Sequence, residues 1–260
     1  MLVTDLTDKK YPFLYADDLG TKARAVMRNR GLRILPIVDE HKHLLGVVSR
    51  MDVMTITSSI SPVRVKGIMS NPKFGATMDM DALEMVREMI RMDEWYVPVT
   101  VSSNDSTYTG ILGLEAFIRS SLEKDLTNLS KPLSEIMSNR ILTCSPEDDV
   151  DNVWRLMQGR SFAGLPVVKK GKLIGMVTQK DLLDTGAVSL GFEAKKGRFK
   201  APPKISSIMK TLVISLKPTA TIREACELMV QKNIGRVPIV DEKGKLIGIV
   251  DREDIARALL

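Results

Sequence analysis

The segment Val237-Pro-Ile-Val-Asp-Glu-Lys-Gly-Lys-Leu-Ile-Gly-Ile-Val250 contains the pattern that the rest of the chain repeats. A proline lies within one short apolar run, a glycine-containing turn follows, and a second apolar run carries its own glycine, which is typical of a β-hairpin. The same phrase occurs at residues 35–48, 97–112 and 165–177. The four prolines, Pro36, Pro98, Pro166 and Pro238, lie 62, 68 and 72 residues apart. A period of this size predicts one supersecondary unit repeated four times.

The fourth copy predicts a β-α-β-β-α unit. A short β-rich run at 212–215 comes first, and Thr221 followed by Glu224 has the spacing of a capping box that begins an amphipathic helix. The hairpin follows, and residues 251–260 form a last helix. A three-stranded sheet with helices on one side leaves an apolar face exposed. We therefore expect an α/β (α+β) fold whose repeats pack sheet to sheet as two pairs.

The other copies follow this plan to different degrees. The third copy matches it closely, with a first strand at 141–143, and the first copy opens less regularly. The second copy diverges most, and its hairpin turn at 102–107 is predicted to be an enlarged, solvated loop. The predicted units are residues 1–60, 61–122, 130–186 and 203–260, with a basic linker at 187–202.

Composition and charge are those of an ordinary globular protein. The 260 residues are 44% hydrophobic and 27% charged, with a formal net charge of +6, which attracts anionic partners without naming one. No apolar run reaches the roughly 18 residues that span a bilayer, and no signal peptide is visible, so we expect a cytoplasmic protein without a membrane partner. Cys144 and Cys226 lie in apolar-patterned segments and are predicted to be buried, reduced thiols.

A chemically specific motif ends the second hairpin strand in three copies. It is Gly46-Val-Val-Ser-Arg-Met-Asp52, Gly175-Met-Val-Thr-Gln-Lys-Asp181 and Gly248-Ile-Val-Asp-Arg-Glu-Asp254. An Ile-Met element also recurs at 68–69, 136–137 and 208–209. With these motifs the chain resembles the cystathionine-β-synthase (CBS) domain over nearly its whole length, as four CBS repeats in two Bateman modules. The layout is similar to that of the gamma subunit of AMP-activated protein kinase.

This resemblance implies binding of an adenosyl ligand (AMP, ADP, ATP or S-adenosylmethionine) in clefts between paired repeats. An aspartate at the last motif position accepts from both ribose hydroxyls, and a hydroxyl at the helix N-terminus meets a phosphate. Family members also line the cleft with the end of the first strand and with basic residues before the strand proline. The candidate ligand-binding residues are therefore Asp181, Thr178, Asp52, Ser49, Asp254, Thr143, Ser215, Arg33 and Arg236.

The same motif has a simpler structural interpretation. Thr178 followed by Asp181 is also an N-terminal helix cap, which contributes ~1 kcal/mol without any ligand, and the two roles are compatible. In the fourth copy Asp251 occupies the phosphate position and repels a phosphate, which favours a nucleoside or S-adenosylmethionine there. In the second copy Ala116 replaces the ribose aspartate, so we expect no conventional ribose site, and we expect Glu115 to face elsewhere.

The predicted function is that of a non-enzymatic regulatory sensor that signals ligand binding to a partner through a conformational change. No nucleophile–base–acid set is apparent, and His41 with His43 makes a weak metal site, so no metal or cofactor is expected beyond the regulatory ligand. The protein partner is unidentified, and a homodimer is an open alternative. One alternative function is an S-adenosylmethionine sensor. Another is nucleic-acid binding through the basic loop 192–204, for which a solvated linker is the plainer interpretation.

Overall fold

Four copies of one α/β unit follow each other in the computed structural model, which describes residues 1–56, 58, 60–124, 126–159, 162–185 and 203–260. A short helix and strand come first, namely α1 (Val3–Leu6) and β1 (Thr7–Asp8). Copy 1 contains β2 (Leu14–Tyr15), α2 (Gly20–Arg30), β3 (Ile34–Val38), β4 (Leu44–Ser49) and α3 (Arg50–Met54). Copy 2 contains β5 (Ala76–Thr77), α4 (Ala82–Arg91), β6 (Tyr96–Ser102), β7 (Asp105–Gly113) and α5 (Leu114–Leu122).

The last two copies have the same order of helices and hairpin strands. Copy 3 contains α6 (Val150–Gly159), β8 (Gly164–Lys169), β9 (Lys172–Thr178) and α7 (Gln179–Thr185). Copy 4 contains α8 (Ile222–Gln231), β10 (Arg236–Val240), β11 (Leu246–Asp251) and α9 (Arg252–Leu259). Short 3₁₀ turns lie between copies, at Val65–Gly67, Thr127–Ser130, Leu133–Glu135 and Ile205–Ser207. The α/β class and the repeat expected from the sequence are confirmed.

Two local expectations are wrong. The first strands predicted at 141–143 and 212–215 are not strands, because only Cys144 and Leu216 pair there, each by a single parallel bridge to the proline strand. The predicted enlarged loop at 102–107 is instead an extended hairpin, in which Ser102 pairs with Asp105 across a two-residue turn. Polar residues lengthen this hairpin beyond the core, where Asp105 and Ser106 are exposed to solvent.

The sheets pair copy 1 with copy 2 and copy 3 with copy 4. In the first pair Val38, Tyr108 and Ile111 form a small apolar cluster, and the Tyr108 amide donates to the carbonyl of Lys42 at 2.8 Å. In the second pair the Leu246 amide donates to the carbonyl of Gly171 at 3.1 Å. These contacts agree with the expected sheet-to-sheet pairing.

The helices join the two pairs to each other. One apolar core combines copies 1 and 3, with Met27 and Met157 fully buried in it. The other core combines copies 2 and 4, with Ile118 and Ile255 fully buried. Each copy therefore meets one neighbour through its sheet and another through its helices, which closes the four copies into a ring. Burial of these side chains on both sides is the main stabilising term, at roughly 1.5–3 kcal/mol per large apolar side chain.

Each Ile-Met element packs on the other copy of its module. The segment before copy 4 pairs with copy 3 through two backbone hydrogen bonds of 2.9 Å between Lys210 and Met176. Gly175 is required beside it, because an added methyl group would lie 2.8 Å from the sulfur of Met209. Gly46 with Met69 and Gly248 with Met137 repeat this contact. In copy 2, β1 occupies this edge instead, with Thr7 opposite Leu112.

The two cysteines are buried and free, as predicted. Cys144 lies in the core of copies 1 and 3, and Cys226 lies in the core of copies 2 and 4. Burial raises the pKa of each thiol to about 12. Among the described residues, no helix has the length and apolar character required to cross a membrane.

Candidate functional site

Asp181 is held at the first turn of α7 by a capping box. Its Oδ2 accepts from the amide of Thr178 at 2.8 Å and from the Thr178 hydroxyl at 2.6 Å, while Thr178 Oγ1 accepts from the Asp181 amide at 3.2 Å. Only 4% of Asp181 is exposed. Its other oxygen, Oδ1, lies 3.0 Å from the ammonium group of Lys210. The cap therefore engages one carboxylate oxygen and leaves the other directed at a cation.

Ser49 and Asp52 repeat this geometry at α3. Asp52 Oδ2 accepts from the amide and the hydroxyl of Ser49, each at 2.7 Å. In copy 4 the box consists of two carboxylates, since Asp251 Oδ1 accepts from the Asp254 amide at 3.2 Å and Asp254 Oδ2 accepts from the Asp251 amide at 2.9 Å. Burial, and then the charge of Asp251, raise the pKa of Asp254 well above its ordinary value.

A cavity of about 440 Å³, here called the central cavity, opens beside Asp181. All four copies contribute to it, with Arg33 from copy 1, Trp95 from copy 2, Thr178 from copy 3 and Gly235 from copy 4. Among the described residues that line it, Asp181 is the one carboxylate. The cationic side chains that line it are Arg33, Arg50, Lys180, Lys210, Lys232, Arg236 and Arg252. Three of these cations pair with carboxylates that do not line the cavity, namely Lys180 with Asp184, Arg236 with Asp251 and Arg252 with Glu115. The lining residues themselves carry an excess of positive charge, which attracts anions.

Trp95 contacts two of these arginines. The guanidinium carbon of Arg33 is 4.1 Å from the centre of the indole ring, and that of Arg236 is 4.8 Å away. Trp95 itself is buried and packs so closely on Gly235 that an added methyl group there would lie 2.6 Å from the ring. Cation–π contacts of this kind stabilise a buried guanidinium by about 0.5–2 kcal/mol.

Arg33 differs from Arg236 in its ion pairs. None of the ion pairs found among the described residues includes it, whereas Arg236 lies 3.6 Å from Asp251. Burial, and then the charge of Arg236, lower the pKa of Arg33. Two guanidinium groups of like charge are thus held near one ring, an arrangement that an anion between them would relieve.

Arg252 and Arg50 occupy the same position of the repeat, directly after the cap, and both are buried. Arg252 donates to Glu115 Oε2 at 2.7 Å, to the Tyr96 hydroxyl at 2.8 Å and to Asn233 Oδ1 at 3.2 Å. Arg50 donates instead to the backbone carbonyls of Leu32, at 2.7 Å, and of Gly31, and none of the ion pairs found among the described residues includes it. Burial, and then the charge of Glu115, raise the pKa of Tyr96 to about 12. Glu115, expected to face away from a ribose site, lines neither cavity and pairs with Arg252 across the helix interface.

A second cavity of about 270 Å³ lies beside Ser49 and Asp52. Pro98 of copy 2 forms its far wall, and Tyr96 lines both this cavity and the central one. Lys73 also lines it and is 2.9 Å from Glu94.

The candidate residues fall into three groups. Thr178, Asp181, Arg33 and Arg236 line the central cavity. Ser49 and Asp52 line the second cavity, and Asp254, Thr143 and Ser215 line neither. The sequence reasoning missed Trp95, Tyr96, Arg50, Lys180, Lys210 and Arg252. Three of these, Arg50, Lys180 and Arg252, occupy the variable positions inside the motif, where cations are a readable signal.

Two further sequence features are the basic loop and the histidine pair. Lys204, at the end of the basic loop, pairs with Asp149 at 2.8 Å, and the linker 187–202 lies outside the described residues. His43 pairs with Asp39 at 2.9 Å, and the part of the chain that the structure describes contains no group of three metal-binding side chains.

Comparison with known proteins agrees with this architecture. Residues 3–58, 133–187 and 205–260 match the model of the CBS domain. Protein MJ1426 of Methanocaldococcus jannaschii is 32% identical over 155 residues, which cover 49% of this chain and 90% of that protein. The solved structure of protein MJ1225 from the same organism has a TM-score of 0.87 at 21% identity and covers both chains completely. An inosine-5′-monophosphate dehydrogenase of Korarchaeum cryptofilum is 31% identical over 146 residues, which are 55% of this chain and 28% of the enzyme.

Fold and site together define a tandem-repeat protein with ligand-sized clefts between paired copies. The chain belongs to the CBS domain family. Its four repeats form two Bateman modules, and copy 2, which lies outside the three matched segments, has the same order of strands and helices as copy 1. The likeness to the solved structure of MJ1225 extends over all four repeats. This family is regulatory and generally non-catalytic.

Proposed function

We propose that the chain is a non-enzymatic sensor that binds an adenine nucleotide in the central cavity. The observation that carries the proposal is the presence of Asp181 and the arginines Arg33 and Arg236 in one cavity. A carboxylate that accepts from ribose hydroxyls and guanidinium groups that bind phosphate are the two halves of a nucleotide site.

The ribose half requires a free acceptor on Asp181. Among the described residues, Lys210 is the one partner of Oδ1, and the Lys210 side chain is 65% exposed. An ion pair with so exposed a lysine contributes little, so the two hydroxyls of a ribose can replace it. The released ammonium group then becomes one more cation for the phosphate. Asp181 in this way serves as both helix cap and ligand contact.

The phosphate half requires cations that lack a strong partner. Arg33 meets this condition, and Arg50 meets it as well because it donates to backbone carbonyls rather than to a carboxylate. A phosphate near the two would replace repulsion by charge-assisted hydrogen bonds, each contributing about 1.5–3 kcal/mol. The excess of cations disfavours S-adenosylmethionine in this cavity, since its sulfonium group is itself positive.

The signalling step follows from the position of the cavity. A ligand that contacts all four copies stabilises one packing of the two modules over others, which is the condition for reporting its presence. The receiver is a protein partner or a second copy of the chain. Free buried thiols suit a reducing compartment, so the cytoplasm is the proposed location. Nucleic-acid binding through the loop 192–204 remains an alternative.

Calorimetric titration of the nucleotide-stripped protein with AMP, ADP, ATP and S-adenosylmethionine tests the proposal. The informative variant is Asp181→Asn, whose amide oxygen can still accept from Thr178 while its NH₂ group replaces the acceptor for ribose. We expect micromolar binding of at least one nucleotide and a loss of tenfold or more in the variant.

The matched control is Glu224→Gln, which alters the capping box of α8 at Thr221, away from both cavities. It should leave nucleotide affinity unchanged. Nucleotide binding that is indifferent to Asp181→Asn, or absent from the wild type, would overturn the proposal and direct attention to the basic loop.

A further inference from the structure

The second cavity is the counterpart of the central cavity in the other module. Ser49 and Asp52 stand where Thr178 and Asp181 stand, and the two capping boxes have the same hydrogen bonds within about 0.1 Å. In each cavity the far wall is the proline strand of the paired copy. The second cavity therefore repeats the residues that the proposed function assigns to adenosine. The other residues that line the two cavities differ.

The cations are not duplicated. Three cationic positions of the central cavity carry neutral side chains at the matching positions of the second, namely Lys180 against Met51, Lys210 against Ser70, and Arg236 against Tyr96. The neutral Ile234 is matched by the acidic Glu94. These positions are equivalent by their distance from the motif aspartate, the Ile-Met element and the strand proline.

Among the described residues that line the second cavity, Lys73 is the one cation, and its charge is offset by an acidic residue of the same cavity. Lys73 pairs with Glu94 at 2.9 Å and donates to the backbone carbonyl of Met92 at 3.0 Å. The Ser49 hydroxyl and amide both donate to Asp52, as those of Thr178 donate to Asp181, so the difference between the cavities lies in their cations and not in their caps. Counting Asp52 and Glu94 against Lys73, the charged residues that line the cavity sum to −1.

We propose that the second cavity selects adenosine derivatives whose 5′ substituent carries no negative charge. This inference rests on the proposed function for the adenosine half of the site and assigns the second cavity a different ligand class from the first. The smaller volume, about 270 Å³ against about 440 Å³, fits a ligand without a phosphate chain. A phosphate there would face Glu94 and Asp52 with Lys73 as the single lining cation among the described residues, and this net negative charge disfavours nucleotides by repulsion. One chain would thus sense a nucleotide and a nucleoside separately.

Adenosine and AMP are the matched probes, because they differ by one phosphate. Calorimetry is run on the wild type, Asp52→Asn and Asp181→Asn, with melting temperatures recorded to verify folding. We expect adenosine affinity to fall tenfold or more in Asp52→Asn and to change less than threefold in Asp181→Asn. AMP affinity should show the reverse dependence.

A gain of function tests the charge argument directly. The double variant Met51→Lys with Ser70→Lys places in the second cavity the two lysines that the central cavity has at the matching positions. We expect this variant to bind a second AMP molecule, and we expect Asp52→Asn to abolish that second site. The control pair Ile60→Lys with Leu83→Lys adds the same charge at exposed positions outside both cavities and should create none.

The outcomes separate the two proposals. If AMP binding depends on Asp181 but adenosine does not bind, or binds independently of Asp52, the nucleotide sensor stands and this inference fails. Equal AMP and adenosine affinity at the Asp52 site would also overturn it. If AMP binding does not depend on Asp181, the proposed function fails first.

Discussion

Arg33 is a residue whose ligand role and structural role predict opposite effects on stability. It has like-charged Arg236 near it and no carboxylate partner among the described residues, so in the unliganded protein its charge costs free energy. A residue kept for packing alone would destabilise the protein on removal. A residue kept for a ligand would not.

We therefore expect Arg33→Met to lower AMP affinity tenfold or more while leaving the melting temperature unchanged or raised. Calorimetry and thermal unfolding measure the two quantities on the same sample. Arg28→Met is the matched control, because it removes one exposed arginine of α2 outside the cavity. A fall in melting temperature with unchanged AMP affinity would assign Arg33 a purely structural role.

Asp254 predicts a pH dependence of stability. Its pKa is raised in the folded protein by burial and by Asp251, so the folded state holds a proton that the unfolded state has released. The contribution of Asp254 to the free energy of unfolding is consequently greatest at acidic pH. It is lost as the pH rises through the pKa that Asp254 has in the folded protein. Glu253 adds to the negative charge there, and Arg257 opposes it.

Replacing Asp254 by Asn removes that loss while keeping an oxygen that accepts from the Asp251 amide. We expect Asp254→Asn to raise the melting temperature at pH 8 by about 2–4 °C, the shift that ~1 kcal/mol gives in a chain of this size, and by less at pH 5. Thermal unfolding at the two pH values measures this. An equal shift at both would show that Asp254 ionises normally.

Among the structural elements, the Ile-Met segments fix the walls of both cavities. Lys210 and Ser70 reach their cavities because the preceding Met209 and Met69 pack on a glycine of the second hairpin strand. We expect Gly175→Ala to destabilise the protein by about 1–3 kcal/mol, because the added methyl group meets Met209 at 2.8 Å and the Lys210 carbonyl at 3.2 Å.

Denaturant unfolding of Gly175→Ala, Met209→Ala and the double variant measures this contact. The double variant should lose less than the sum of the two single losses, since the clash disappears with the longer side chain. Gly67→Ala, which meets no atom within 4 Å, is the control and should be nearly neutral. Additive losses would mean that Gly175 is needed for another reason.

The structural elements also show which features of the fold and site can be predicted from the sequence. The hairpins, the capping box at Thr221 and the motif aspartates follow from local patterns that act within a few residues. The absence of first strands at 141–143 and 212–215 could not be predicted, because a single bridge at Cys144 or Leu216 leaves no repeating pattern in the sequence. Similarly, Trp95 and Lys210 enter the central cavity through contacts between distant copies, for which no local pattern exists.

At the scale of the whole molecule, the two apolar cores join copies that are not adjacent in the chain. The order of contacts, copy 1 to 2 by sheets and copy 1 to 3 by helices, couples the two modules. The central cavity lies where all four copies meet. A ligand there is therefore expected to stabilise both cores together, whereas a ligand confined to one module would protect them unequally.

The two buried thiols can distinguish these cases, because each core contains one. Cys226→Ala leaves Cys144 to report on the core of copies 1 and 3, and Cys144→Ala leaves Cys226 to report on the core of copies 2 and 4. A thiol held protonated by burial reacts only when its core opens. AMP at 100 times its dissociation constant should slow labelling by a thiol reagent about 100-fold where opening requires ligand release.

We expect AMP to slow the labelling of both single-thiol variants by similar factors, and Asp181→Asn to abolish both effects. Slower labelling of Cys144 alone would mean that the nucleotide contacts copies 1 and 3 without holding copies 2 and 4. In that case the cations from copy 4, Arg236 and Arg252, would not be phosphate ligands. The nucleotide would then have no contact through which it could change the packing between the modules. Equal protection instead would make the closed ring of four copies the unit that responds to the nucleotide.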